Sequence, residues 1–164
     1  MNLLKLSYSI LFTLLLAIRL FGDSPVDRSV SLALVSDDFG LADGPSWQGW
    51  YLTVPDPKAQ VVKRFITKQN KWNVLAQEKR FSASFFNHGK SYFADHGEGA
   101  IRCLDQNNKW SLVYQEDLTK DKGRRPNDLV VDRNGGIFYT LTRPGEVVYL
   151  SSNGKAKTVA SDVE

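Results

Sequence analysis

Cysteine is almost missing from this sequence of 164 residues: Cys103 stands alone, so no disulfide can form within the chain. It falls in the alternating run Ala100-Ile101-Arg102-Cys103-Leu104, where a small buried apolar residue is the expected role. Histidine is as scarce. His88 and His96 each flank a glycine turn, and lone imidazoles in such loops are expected to be structural or exposed. An excess of one charge is also lacking. The formal net charge is +3, and without Lys5 and Arg19 near the N-terminus 19 basic residues face 18 acidic ones. Nucleic-acid binders concentrate Lys and Arg on one face, so nucleic acid is not an expected partner. Beyond the first two dozen residues no run of about ten repeats at helical period, which argues against helices in the rest of the chain.

What is present is ordinary globular material at the N-terminus of which something different stands. Hydrophobic residues at 42% and charged residues at 24% exclude a disordered chain. Lys5 precedes an apolar run of about 13 residues, Leu6 to Ile18, too short to span a bilayer comfortably and the right size for an export leader. Residues 1–23 are therefore expected to be a signal-peptide helix, cut near Gly22–Ser24, with export to a periplasm or the medium. An uncleaved N-terminal membrane anchor is the alternative; after cleavage no stable membrane association is expected. Residues 24–40 read as a linker followed by a first strand at Ser29–Val35.

From residue 41 onward the chain repeats. Gly49-Trp50-Tyr51-Leu52-Thr53-Val54 leads to Asn70-Lys71-Trp72, and Gly89-Lys90-Ser91-Tyr92-Phe93 leads to Asn108-Lys109-Trp110, an offset of about 38 residues. A third copy runs through Gly135-Gly136-Ile137-Phe138-Tyr139 to Asn153-Gly154-Lys155, about 46 residues further, the excess lying in the loop Asp117–Pro126. Short β-branched and aromatic segments between turn residues, at periods of about 40, mark propeller blades. Residues 41–164 are thus expected to be all-β, forming about three blades near 41–80, 81–120 and 121–164. Each blade must pack against neighbours in a ring of typically four to eight, so three would leave two apolar sheet faces uncovered. The expected explanation is that the chain is the N-terminal part of a longer protein; a three-blade unit that dimerises is another. Trp47, Trp50, Trp72 and Trp110 are expected to pack between blades.

Two polar stretches stand where inner strands of a propeller start: Ala42-Asp43-Gly44-Pro45-Ser46-Trp47 and Arg124-Arg125-Pro126-Asn127-Asp128. An acidic oxygen and an amide carbonyl brought to one axis suit a hard divalent cation such as calcium or magnesium. An adjacent Arg suits an oxygen-rich, partly anionic ligand. Asp43, Asn127 and Asp128 can equally be turn formers that bind local backbone.

These stretches resemble the senescence-marker-protein/gluconolactonase/luciferin-regenerating-enzyme family. Asp43-Gly44-Pro45-Ser46-Trp47 is similar to its opening motif, and Arg125-Pro126-Asn127-Asp128-Leu129-Val130-Val131-Asp132 to a later one; the likeness spans roughly residues 34–164. The resemblance implies a six-bladed β-propeller, of which this chain is the N-terminal half. It implies Asp43 as a metal ligand where the family usually has Glu, Asn127 near the metal and the substrate, and Arg125 as a substrate contact. It further implies a divalent cation as cofactor (calcium first, zinc or magnesium as alternatives) and a sugar lactone as substrate, opened hydrolytically. The general base and remaining ligands would lie beyond Glu164, so the fragment alone is expected to be inactive. The rival expectation is a non-catalytic propeller that binds carbohydrate or protein.

Overall fold

The computed structural model describes residue 31 and residues 33–163. The expected leader lies outside them, as does most of the expected strand at Ser29–Val35; its described residues, 31 and 33–35, carry no strand. The described residues from Asp38 onward form one compact unit. That unit is β1 (Ser46–Trp47), β2 (Tyr51–Asp56), β3 (Val61–Ile66), β4 (Lys71–Gln77), β5 (Phe81–Asn87), β6 (Lys90–Asp95), β7 (Ala100–Leu104), β8 (Trp110–Gln115), β9 (Pro126–Val131), β10 (Ile137–Leu141), β11 (Glu146–Leu150) and β12 (Ala156–Ala160). A single 3-10 turn at Thr67–Gln69 is the one helical element among the described residues.

The strands form three four-stranded sheets, β1–β4, β5–β8 and β9–β12, each in sequence order and antiparallel throughout. This is the meander of propeller blades, and the unit is a partial β-propeller. The reason lies in the turns. Asn70, His88 and Asn108 hold positive φ where one strand must reverse into the next, with Gly89, Gly135 and Gly154 doing the same at φ near 80°.

The second sheet is packed on both faces. Phe81, Phe93 and Leu104 meet Val62 of the first sheet. Ala83, Ala94 and Ile101 meet Leu129, Ile137, Tyr139 and Leu141 of the third. Phe81 and Ala83 are two residues apart on one strand and would ordinarily share a face. A register shift between them in the β5–β6 pairing turns one to each side. Small side chains at Ala83 and Ala94, which pair directly, let the third sheet approach closely. The outer sheets keep apolar side chains in water: Trp47, Trp50 and Val74 on the first, Val130, Phe138 and Val159 on the third, each more than a third exposed.

The tryptophans do not all behave as expected. Trp72 packs on Phe65 of its own sheet and on Phe39, with centroids at 5.1 and 5.2 Å. Trp110 packs on Phe81 and Phe93, again within its sheet. A fourth strand lies at the rim of a blade, and its indole stacks on rings of its own sheet; for Trp110 those rings, Phe81 and Phe93, are on the face that meets Val62 of the first sheet. Trp50 is exposed and receives the Lys68 ammonium 3.8 Å from its ring.

Candidate metal and substrate site

The first strands of the three sheets lie side by side, β5 touching β1 on one flank and β9 on the other. Their starting ends coincide with the finishing ends of β2, β6 and β10, since Phe81 pairs with Asp95 and Pro126 with Leu141. Asp43 and Asn127 both belong to this end.

Asp43 is placed by its neighbours. Its backbone N–H donates to the Pro55 carbonyl at 3.0 Å, and its Oδ1 accepts the Gly44 N–H at 3.0 Å. Gly44 then lies against β5 with φ +42°; a Cβ there would stand 2.3 Å from Ala83 Cα. No other residue fits. The Gly44 carbonyl accepts both the N–H and the hydroxyl of Ser84, at 2.8 and 2.9 Å.

Upstream, the buried Asp56 carboxylate gathers the N–H groups of Gly40 at 2.6 Å, Leu41 at 3.0 Å and Ala59 at 2.9 Å. Burial alone would raise its pKa, but these three donors and Lys63 outweigh it and hold the carboxyl below its usual range. Asp56 thus fixes the path of the chain into Asp43. The motifs noted in the sequence do not include it. Its counterpart Asp95, also at the end of a second strand, binds the Glu98 N–H and the Arg102 guanidinium, so the recurrence of Asp at that point was the available signal.

Asn127 is held through its main chain. The Ser82 hydroxyl donates to the Asn127 carbonyl at 2.6 Å and approaches the Pro126 carbonyl at 3.4 Å. Asp43-Gly44 and Asn127 therefore flank one short segment, Ser82–Ser84. Both side chains are half-buried, and among the described residues the Asn127 amide makes no hydrogen bond and Asp43 only the local one. Asp128 differs: it is exposed and its Oδ1 accepts the Leu129 N–H at 2.8 Å, a turn-forming role.

Arg125 spends most of its donors on backbone. Its Nε donates to the Lys122 carbonyl at 3.2 Å, and its Nη1 to the carbonyls of His96, at 2.9 Å, and Gly97. Only Nη2 is left for a ligand. The loop that carries Arg125 and leads into Asn127 on β9 is anchored by a buried network that the sequence motifs do not announce. Glu116 accepts Arg124 Nε at 2.8 Å and the Tyr139 hydroxyl at 2.5 Å, while Arg124 Nη1 reaches Glu146 at 2.8 Å. Hydrogen bonding to Glu116 keeps Arg124 firmly protonated, and burial, reinforced by Glu116, pushes the Tyr139 phenol up. The partners are 8 to 23 residues apart along the chain, so no local pattern announces them.

The two free oxygen donors, a carboxylate and an amide, fit a hard divalent cation. Such ions take about six or more oxygens, and no cluster of three His, Cys, Asp or Glu stands among the described residues.

Neither a protein-family model nor a curated protein matches the sequence. Solved structures do match. The gluconolactonase XC5397 from Xanthomonas campestris aligns with 77% of this chain and 49% of its own, at TM-score 0.65 and 20% identity. A luciferin-regenerating enzyme aligns over 76% of this chain and 46% of its own, at TM-score 0.60 and 16% identity. Virginiamycin B lyase from Staphylococcus aureus aligns over 81% and 45%, at TM-score 0.61 and 14% identity. The likeness is one of fold, and the chain spans roughly half the length of these structures. A lactonase and a lyase share that fold, so the fold by itself does not select the reaction.

Proposed function

We propose that the chain contributes its three blades to an exported, metal-dependent hydrolase of sugar lactones. The observation that carries this reading is that Gly44, next to Asp43, and Asn127 both bond through their carbonyls to Ser82–Ser84, at one end of a fold shared with a gluconolactonase. Asp43 supplies an anionic oxygen and Asn127 a neutral one to a divalent cation, calcium being the best match for such donors. When bound, the cation supplies Lewis acidity toward the lactone carbonyl. Asn127 and the Nη2 group of Arg125 hold the sugar oxygens, and the Arg125 contacts to His96 and Gly97 keep that guanidinium in place. The further oxygen ligands and the general base are supplied from outside residues 33–163.

The test is lactone hydrolysis by the gene product purified from its native source, with an aldonolactone as substrate. Hydrolysis is expected to stop with a chelator, to return with calcium, and to be lost in Asp43→Ala. Activity that ignores both the chelator and the substitution rejects the reading. Cation-dependent sugar binding without hydrolysis would instead select the non-catalytic propeller.

A further inference from the structure

The end of the fold that bears Asp43 and Asn127 also gathers positive charge. A cleft of about 450 Å3 lies between the second and third sheets, bounded by Arg80, His96, Lys122, Arg125, Thr142 and Arg143. No acidic side chain lines it. Two carboxylates border these loops: Asp121 accepts the Gly123 N–H at 2.7 Å, and Asp95 pairs with Arg102 at 2.6 Å. Among the described residues the ion pairs belong to Lys63, Arg102, Lys120 and Arg124, and none to the cations of the cleft.

The cleft is built, not merely decorated. Its floor is cross-linked by Arg125 to the carbonyls of His96 and Gly97, and by His96 Nδ1 at 3.3 Å from the Pro126 carbonyl. Two glycines act as platforms for the arginine stems. A Cβ at Gly97 would stand 3.0 Å from Arg80 Cβ, and one at Gly123 would stand 3.2 Å from Arg143 Cβ. Each guanidinium stem lies across a glycine, from the opposite walls of the cleft. Cations held together without an ion-pair partner repel one another, and a bound anion removes that repulsion.

We propose that this cleft binds a phosphate monoester carried on a small soluble molecule, independently of the lactonase reading. A dianion with three terminal oxygens can engage the two guanidinium forks, the Lys122 ammonium and the Thr142 hydroxyl together. A carboxylate, with two oxygens and one charge, can engage only part of that set. The volume is that of a small-molecule site.

Calorimetric titration of the protein at low salt tests this, with inorganic phosphate, glucose 6-phosphate, gluconate and glucose as probes. Both phosphates are expected to bind, gluconate about ten-fold more weakly, and glucose not at all. Raising salt from about 50 to about 300 mM is expected to weaken the phosphates several-fold. The double variant Arg80→Gln/Arg143→Gln, both exposed positions, should lose about ten-fold or more in affinity with an unchanged melting temperature. Arg133→Gln, in the turn at the other end of β9, should bind as the parent does. Four results each overturn the proposal: no phosphate binding, binding of inorganic phosphate alone, gluconate equal to glucose 6-phosphate, or an Arg133→Gln loss matching that of the double variant.

Discussion

The Ser82 hydroxyl donates to the Asn127 carbonyl across 2.6 Å, joining the first strand of the second sheet to that of the third. Ser82 is buried, and on its other side lies Gly44, which follows Asp43. Ser82 therefore fixes the main chain at Asn127, one of the two candidate ligands. Ser82→Ala should cost about 1–2 kcal/mol in urea unfolding, because the half-buried Asn127 carbonyl loses its donor. Calcium titration should show weaker binding as well. Parent-like values in both measurements would remove Ser82 from the account.

Gly44 faces a stricter demand than its turn alone would impose. Gly44→Ala adds a methyl into Ala83 and requires an L-residue to hold positive φ, so a loss of about 3 kcal/mol or more is expected. Gly135→Ala has the same sign of φ but nothing within 4 Å of the added carbon, and should cost about 1 kcal/mol. Comparing the two melting temperatures separates crowding from backbone strain.

Asp56 should make the fold sensitive to acid. Its carboxyl is held below its ordinary range when folded, so its contribution is complete above the unfolded pKa of about 3.9 and is lost as pH falls through the lower folded value. The unfolding free energy of the parent should therefore drop below about pH 4. Asp56→Asn should be less stable at neutral pH and show a flatter acid limb. A parallel acid limb in the variant would assign the dependence to other carboxylates.

Tyr139 and Glu116 make the remaining prediction. Tyr139→Phe removes one donor from a buried carboxylate that keeps Arg124, and should cost about 1.5–3 kcal/mol. Arg124→Met leaves Glu116 without its cation and should cost more, about 3–5 kcal/mol. An ultraviolet titration of the parent should show tyrosine that resists ionisation above the ordinary range, since burial and Glu116 both raise Tyr139. Tyr139→Phe should remove part of that resistant signal.

Much of this was legible along the chain. The recurrence of Lys71-Trp72 as Lys109-Trp110 marked fourth strands in the first two sheets, and the alternation in Ala100–Leu104 marked a buried third strand. Such patterns are local, because turns and side-chain alternation repeat every few residues. The pairs Asp56 with Gly40 and Glu116 with Tyr139 were not legible, since each spans a loop whose path depends on the packing it helps to make.

The sequence by itself determined that this chain builds three similar β-sheets, and which polar residues stand at the start of each. Only the tertiary structure decided that the main chains at Gly44 and Asn127 both bond to Ser82–Ser84, that Trp72 and Trp110 stack on rings of their own sheets, and that Arg80 and Arg143 face one cleft. The reason is that these contacts join residues far apart along the chain, Ser82 with Asn127 and Ser84 with Gly44, whereas alternation and turn residues report only on near neighbours.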